Sequence, residues 1–198
     1  MQSALPIQLD AQPGLYELPQ TLAGKAVLAV AATGLMAVCA HVSVPLYFTP
    51  VPVTLQTLGV IFIGLALGPA LGFSAMALYL AEGAMGLPVF SPHGLGGVAQ
   101  LLGPTGGFLL SYPLAAAAAG GVVRALRLIR SEFFAAVLGS VAASVIIFTM
   151  GAGWLAHLSH LGAGAAWHLA VAPFVPGEVL KIAAAAGLYT SFRRWHRV

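Results

Sequence analysis

The chain has 198 residues, of which 60% are hydrophobic and 7% are charged, and its mean hydropathy is +0.96. Soluble domains carry roughly 25% charged residues, so this composition excludes a soluble globular protein and predicts a protein embedded in the lipid bilayer. The formal net charge of +3 comes from cations spread along the chain, and it gives no support to nucleic-acid binding.

The apolar stretches divide into six predicted transmembrane helices, so the predicted fold class is an all-α integral membrane protein. A helix needs about 20 apolar residues to cross a bilayer, and prolines and glycines mark the breaks between the stretches. Gly68 and Pro69 are predicted to form a tight turn between the second and third helices. The six predicted spans cover residues 22–42, 53–67, 70–87, 106–123, 133–155 and 176–192.

The basic residues predict the orientation, since Lys and Arg accumulate on the cytoplasmic side of membrane proteins. With both termini cytoplasmic, all eight Lys and Arg residues except Lys181 fall on that side. The predicted domains are an N-terminal cytoplasmic segment, residues 1–21, and a six-helix membrane domain, residues 22–198. The N-terminal segment lacks the basic and apolar regions of a signal peptide.

Two opposite charges interrupt the last apolar stretch. Glu178 and Lys181 are the only acidic or basic residues between Phe133 and Phe192. A charge at mid-bilayer costs about 2.5–3.5 kcal/mol on insertion scales, so such residues usually face the interior of a helix bundle and mark a binding site. Three positions apart on a helix, the two side chains share one face and can pair. We expect the pair to form the floor of a ligand pocket, with a purely structural ion pair as the alternative.

Two other groups of polar side chains have alternative interpretations. Glu82 lies near the outer end of the third predicted helix, where it forms either a third polar wall of the pocket or a contact with the membrane interface. His157 and His160 have a spacing that suits a metal ion, but no acidic residue or Cys lies near them in sequence. An interfacial loop is therefore favoured there, and no metal site is predicted.

Small residues form a stripe along the first predicted helix. Ala29, Thr33 and Ala37 are four positions apart, so they share one face and let another backbone approach closely. The stripe predicts either a partner-docking face or packing against a neighbouring helix of the same chain.

Four motifs, taken together, make the chain recognisable. They are PVPVTLQTL at residues 50–58, GLPVF at 86–90, LGPTGGF at 102–108, and PFVPGE at 173–178 followed by Lys181. In this order they resemble the BioY family, the biotin-binding S components of energy-coupling-factor (ECF) transporters, over residues 22–192. The resemblance implies the ECF S-component fold in a prokaryotic cytoplasmic membrane, with biotin as the transported ligand and neither a cofactor nor enzymatic activity.

The resemblance also implies where the ligand lies. Biotin is expected in an outward-facing pocket under a lid, the loop of residues 43–52, with Tyr47 and Phe48 as aromatic cover. In the family, the acidic and lysine positions of the last motif contact the ligand. The expected binding residues are Glu178, Lys181, Thr54, Gln56, Gln100 and Glu82 for the polar groups of biotin, and Tyr79, Phe90, Phe108 and Phe48 for its apolar body.

Leu109 departs from the pattern of the family, some members of which carry a basic residue at this position. A cation for the carboxylate of biotin is then missing there, and His93, Gln100 or backbone amides are the candidates to replace it. Which end of biotin Lys181 contacts, the ureido group or the carboxylate, stays open.

Partners follow from the same resemblance. It implies a membrane-embedded coupling protein and two cytoplasmic ATPase subunits, and the chain has no Walker motif of its own. The small-residue face of the first helix is similar to the face by which S components meet the coupling protein. The sequence leaves a homo-oligomer open. It also leaves two other functions open: an S component for thiamine or riboflavin, and a membrane enzyme that uses Glu82, Glu178 and a histidine on a lipid.

Overall fold

The structure of the chain is a computed structural model that describes residues 21–128 and 131–195. The predicted N-terminal segment, residues 1–21, lies outside the described residues except for Thr21. The described residues form seven helices and one short antiparallel ladder. In chain order the elements are α1 (Leu22–His41), β1 (Ser43–Val44), β2 (Val53–Thr54), α2 (Gln56–Ala84), α3 (Gly97–Leu102), α4 (Gly106–Ala125), α5 (Glu132–Leu158), α6 (Ala163–Ala170) and α7 (Val175–Trp195).

Hydroxyl side chains begin two of the long helices. Thr21 Oγ1 accepts a hydrogen bond from the backbone N–H of Gly24 at 3.2 Å and so caps α1. Ser131 Oγ does the same for α5, accepting from Phe134 N–H at 3.2 Å. Because the first N–H groups of a helix have no partner within it, such caps define where these two helices begin.

The predicted turn at Gly68 is present and divides α2 into two halves. Gly68 has φ 78° and ψ 178°, a conformation open to glycine alone, and Pro69 follows it. A Cβ added to Gly72 would lie only 3.2 Å from the Cα of Gly64. In a continuous helix these residues, eight positions apart, would be separated by about 12 Å. The two halves of α2 therefore fold back on each other as a helical hairpin.

The observed helices differ from the predicted ones in number. The predicted second and third helices are the two halves of α2, whereas α3 and α6 are short helices that the hydropathy pattern did not indicate. α3 begins after Gly96, which has a φ of 68°, and lies in a loop predicted to be irregular. α6 is an alanine-rich segment, which favours a helix but is too short to span a bilayer.

The apolar character of the helices makes the chain a multi-pass membrane protein. Within the described residues, α1, α2, α4 and α5 are long and apolar enough to cross a membrane. Taken together, α6 and α7 are also long and apolar enough to cross a membrane, and the angle between them is 55°. α4 is the most buried of the four long helices and α1 the least, because α1 packs mainly against α2.

Glycine and alanine bring α2 and α4 into backbone contact. The Gly64 backbone lies directly against Ala116 of α4, and Gly120 of α4 lies against both Gly64 and the turn at Gly68. Such contacts are typical of membrane helices, in which small residues let two backbones approach closely. The α2 hairpin is therefore held against α4 by packing that tolerates no added side chain.

Gly120→Ala is expected to destabilise the bundle, because the added Cβ would lie 2.5 Å from the carbonyl oxygen of Gly64 and 2.7 Å from the nitrogen of Pro69. Overpacking of this kind costs about 1–3 kcal/mol. Gly121→Ala is the matched control, since a Cβ there meets no atom within 4 Å. Thermal unfolding in detergent should show a lower Tm for Gly120→Ala alone, and equal Tm values for the two variants would contradict the close contact.

Candidate ligand-binding site

A cavity of about 230 Å³ lies where the β1–β2 loop, the segment before α4, and α2, α4, α5 and α7 meet. This volume is just below the range of roughly 300–1,000 Å³ that small-molecule pockets span. Three of the four sequence motifs contribute to its walls, namely residues 50–58, residues 102–108, and residues 173–178 with Lys181. The motif at residues 86–90 packs beside the cavity, through Phe90.

Glu178 has three partners, which lie on α2, α5 and its own helix, α7. The residue is 4% exposed. Its Oε1 accepts a hydrogen bond from Ser144 Oγ at 2.7 Å, and its Oε2 accepts one from Thr57 Oγ1 at 2.9 Å. The Nζ of Lys181 lies 3.5 Å from the same Oε2. A buried carboxylate is tolerated only when its charge is paired and its lone pairs are bonded, and both conditions are met here.

Lys181 completes this network and still faces the cavity. Its Nζ donates a hydrogen bond to Thr57 Oγ1 at 2.9 Å, so the threonine hydroxyl accepts from the ammonium and donates to the carboxylate. An ammonium group has three donors, and at most two are used by Thr57 and Glu178. Because Lys181 lines the cavity, one charged N–H is available to a ligand.

Gln56 is the centre of a second polar network in the cavity wall. Its Oε1 accepts a hydrogen bond from Tyr112 OH at 2.7 Å, and its Nε2 donates to Tyr79 OH at 3.3 Å. Tyr79 OH in turn donates to the carbonyl oxygen of Val89 at 2.9 Å. The amide of Gln56 therefore has a fixed orientation, and its second N–H is the donor left for a ligand.

The expected binding residues differ in their position relative to the cavity. Thr54, Gln56, Gln100, Phe108, Glu178 and Lys181 line the cavity. Tyr79 and Phe90 are buried beside it, with their ring centroids 5.4 Å apart in an edge-to-face contact. The Phe90 ring lies on Gly83, where a Cβ would clash with it. Tyr79 and Phe90 therefore support the wall from behind. Phe48 is 59% exposed at the tip of the β1–β2 loop.

Glu82 and part of the small-residue stripe meet at the contact between α1 and α2. Thr33 Oγ1 donates a hydrogen bond to Glu82 Oε1 at 3.1 Å. Ala29 and Thr33 are buried, and Ala37 is half-buried. Two of the three stripe residues thus pack within the chain, which was one of the two alternatives that the spacing allowed.

Several residues of the site were not singled out from the sequence, among them Phe148 and Phe174 of the apolar wall and three members of the polar networks. Thr57 and Ser144 bind Glu178, and Tyr112 binds Gln56. Ser144 follows Ser140 by four positions in a largely apolar helix, a spacing that indicates a polar inward face. Tyr112 follows the cavity residue Phe108 by the same interval. The helical periodicity of these polar residues was therefore the feature of the sequence that could have indicated their place in the site.

The chain is similar in sequence to proteins named as biotin transporters. The model of the BioY family matches residues 11–197. A probable biotin transporter BioY of Pyrococcus horikoshii is 40% identical over 139 residues, which cover 69% of this chain and 76% of that protein. The biotin transporter BioY of Thermotoga maritima is 39% identical over 155 residues, which cover 78% of this chain and 86% of the relative.

The fold is also similar to that of a solved protein. The crystal structure of the S-component for biotin from an ECF-type ABC transporter matches with a TM-score of 0.78 and covers 88% of this chain and 91% of that one. The sequence identity is 24%. At this identity the likeness shows the fold alone.

Neutralising one member of the buried pair is expected to destabilise the bundle more than neutralising both. Lys181→Met leaves the Glu178 carboxylate without its cation, and Glu178→Gln leaves the ammonium without its anion. Breaking a buried pair from one side costs about 3–5 kcal/mol. The double variant should regain most of the Tm that either single variant loses in thermal unfolding experiments in detergent. If the decrease in Tm of the double variant equals the sum of the decreases in the two single variants, the two charges are not coupled and the prediction is wrong.

Proposed function

The chain belongs to the BioY family, and from this premise we propose that it binds biotin in the cavity above Glu178 and Lys181. In this proposal it is the substrate-capture subunit of an ECF-type transporter, and therefore a transporter component, not an enzyme. The observation that carries the proposal is the family match over residues 11–197, in a chain that brings three of its four motifs together around one cavity.

The chemistry of biotin suits the walls of this cavity. The bicyclic ring has an apolar body, which Phe108, Phe148 and Phe174 can cover. The oxygen atoms of biotin require fixed donors, which the Lys181 ammonium and the Gln56 amide supply. Hydrogen bonds to charged groups contribute about 1.5–3 kcal/mol each, so a few of them together with ring burial suffice for tight binding.

We place the carboxylate of biotin near His93. Leu109, at the position where some family members carry a cation, is 2% exposed and contributes an apolar side chain to the cavity. His93 also lines the cavity. Within residues 21–128 and 131–195, its ring nitrogens have no hydrogen-bond partner, so both are available to a ligand.

The proposed topology has six membrane crossings and cytoplasmic termini, in a prokaryotic cytoplasmic membrane. The two halves of α2 count as two crossings, and α6 with α7 as one. Support comes from Arg193 near the end of α7, whose Nη2 lies 3.3 Å from Glu132 Oε1 at the start of α5. These two helix ends must therefore lie at the same membrane face, which is the face that the basic residues assign to the cytoplasm.

The partners proposed are a membrane-embedded coupling protein and two ATPase subunits, with the coupling protein docking on α1. Of the stripe predicted to dock, Ala37 is half-buried, while Ala29 and Thr33 face α2. Beside Ala37 lies the exposed Gly34, where an added Cβ would meet no atom within 4 Å. This open side of α1 is the face available to a partner.

Biotin binding to the detergent-purified chain is the direct test of the proposed function. Radiolabelled biotin should bind with a Kd that thiamine and riboflavin do not affect, and Lys181→Ala should weaken binding at least tenfold through the loss of a charge-assisted hydrogen bond. Lys25→Ala, at the exposed start of α1, is the control and should keep the wild-type Kd. Displacement of biotin by another vitamin would refute the assignment, and an unchanged Kd in Lys181→Ala would remove this residue from the site.

Gly34→Leu should impair biotin uptake and leave biotin binding unchanged, because it enlarges the exposed face of α1 without touching the rest of the chain. Gly187→Leu on α7 is the matched control, since a Cβ there also meets no atom within 4 Å. Uptake is measured in cells that carry the coupling protein and the ATPases. Normal uptake by Gly34→Leu would exclude docking on this face.

A further inference from the structure

The loop between β1 and β2, residues 45–52, forms part of the cavity wall. Pro50, Val51 and Pro52 line the cavity. Thr49 and Val51 are buried, whereas Tyr47 at the tip of the loop is fully exposed. The second half of the loop therefore closes one side of the site, and the tip points away from it.

The base of this loop is the short β1–β2 ladder, and Ser91 Oγ also contacts it by donating to Ser43 Oγ at 3.2 Å. β1 pairs with β2, with Ser43 opposite Thr54, and the N–H of Leu55 donates to the carbonyl oxygen of Val42 at 3.2 Å. These bonds join the two ends of the loop to each other. They leave open what holds its middle against the far side of the cavity.

The middle of the loop is held by the packing of Val51 in the hydrophobic core and by a side-chain hydrogen bond to the end of α6. Thr49 Oγ1 donates to the carbonyl oxygen of Leu169 at 2.7 Å. The same oxygen of Thr49 accepts from the N–H of Val51 at 3.3 Å. The threonine hydroxyl thus couples the cavity-lining half of the loop to the corner between α6 and α7, from which Phe174 also reaches the cavity wall.

The sequence explains why the Leu169 carbonyl is free to accept this bond. Within a helix, the carbonyl of residue 169 would accept from the N–H of residue 173. Residue 173 is Pro173, which has no N–H. Among the described residues, no backbone N–H is bonded to this carbonyl. Thr49 therefore supplies a donor that the backbone cannot, and a buried carbonyl without one would be unfavourable.

We propose that the Thr49–Leu169 hydrogen bond is the latch of the ligand site, and that its opening lets biotin enter and leave. The inference rests on the proposed function for the identity of the ligand. The latch joins two parts of the protein, and neither Thr49 nor Leu169 lines the cavity in which the ligand would lie. Weakening it should therefore speed entry and exit together, with little change in the equilibrium affinity.

The test compares three variants of the detergent-purified chain by the association and dissociation rates of radiolabelled biotin. Thr49→Val keeps the shape of the side chain and removes the donor, and both rates should rise roughly two- to tenfold, as expected for the loss of one net hydrogen bond. Thr49→Ser keeps the hydroxyl and should stay close to the wild type. Thr190→Val is the control, because among the described residues the Thr190 hydroxyl bonds only within α7, to Ala186 and Gly187.

The outcomes separate the latch from the proposed function. Wild-type rates in Thr49→Val, with biotin still bound, would overturn the latch alone. A rise in the dissociation rate with an unchanged association rate would also overturn it, because Thr49 would then stabilise only the complex. Failure of the wild-type chain to bind biotin would overturn both proposals. A lower Tm in Thr49→Val with unchanged rates would show that the bond is merely structural and would contradict the latch.

Discussion

The buried ion pair between Glu178 and Lys181 is the interaction on which the rest of the site depends. Two charges inside an apolar bundle are unfavourable unless each compensates the other and the remaining polar atoms are bonded. Thr57 and Ser144 meet this condition from α2 and α5. The network thereby joins three helices at the base of the cavity. Because the pair is neutral overall, the site presents oriented donors to a ligand without an excess of charge.

Close packing of small residues gives this network a stable frame. The Gly68 break turns α2 back on itself, and the contacts of Gly64 and Gly120 bring the hairpin against α4 at backbone distance. This arrangement places Gln56 and Thr57 at the cavity while Tyr79 returns to support Gln56 from the second half of α2. By contrast, the β1–β2 loop packs on the core through Val51 and contacts the end of α6 through the side-chain hydrogen bond of Thr49. A rigid floor and a wall formed by a loop suit a protein that must both bind and release its ligand.

The sequence predicted the long helices, because hydropathy and proline or glycine breaks determine where a chain can cross a bilayer. Charges in an apolar stretch also indicated that Glu178 and Lys181 lie inside the bundle, whereas Gln56 was indicated by the family resemblance. The sequence did not indicate α3 or α6, which are too short for a hydropathy pattern, and it did not separate residues that line the cavity from those that support it. Phe108 lines the cavity whereas Phe90 and Tyr79 lie behind its wall, and only tertiary packing makes this difference. Contacts between distant segments, such as Thr49 with Leu169, leave no periodic signal in a sequence.

We infer that the Glu178–Lys181 pair orients a charged donor toward biotin, and a crystal structure of the chain with biotin bound would show whether this contact exists. We expect biotin in the cavity lined by Gln56 and Phe108, with an oxygen of biotin within hydrogen-bonding distance of Lys181 Nζ. Biotin bound elsewhere, or bound in this cavity while Lys181 Nζ contacts only Thr57 and Glu178, would refute this role of the ion pair.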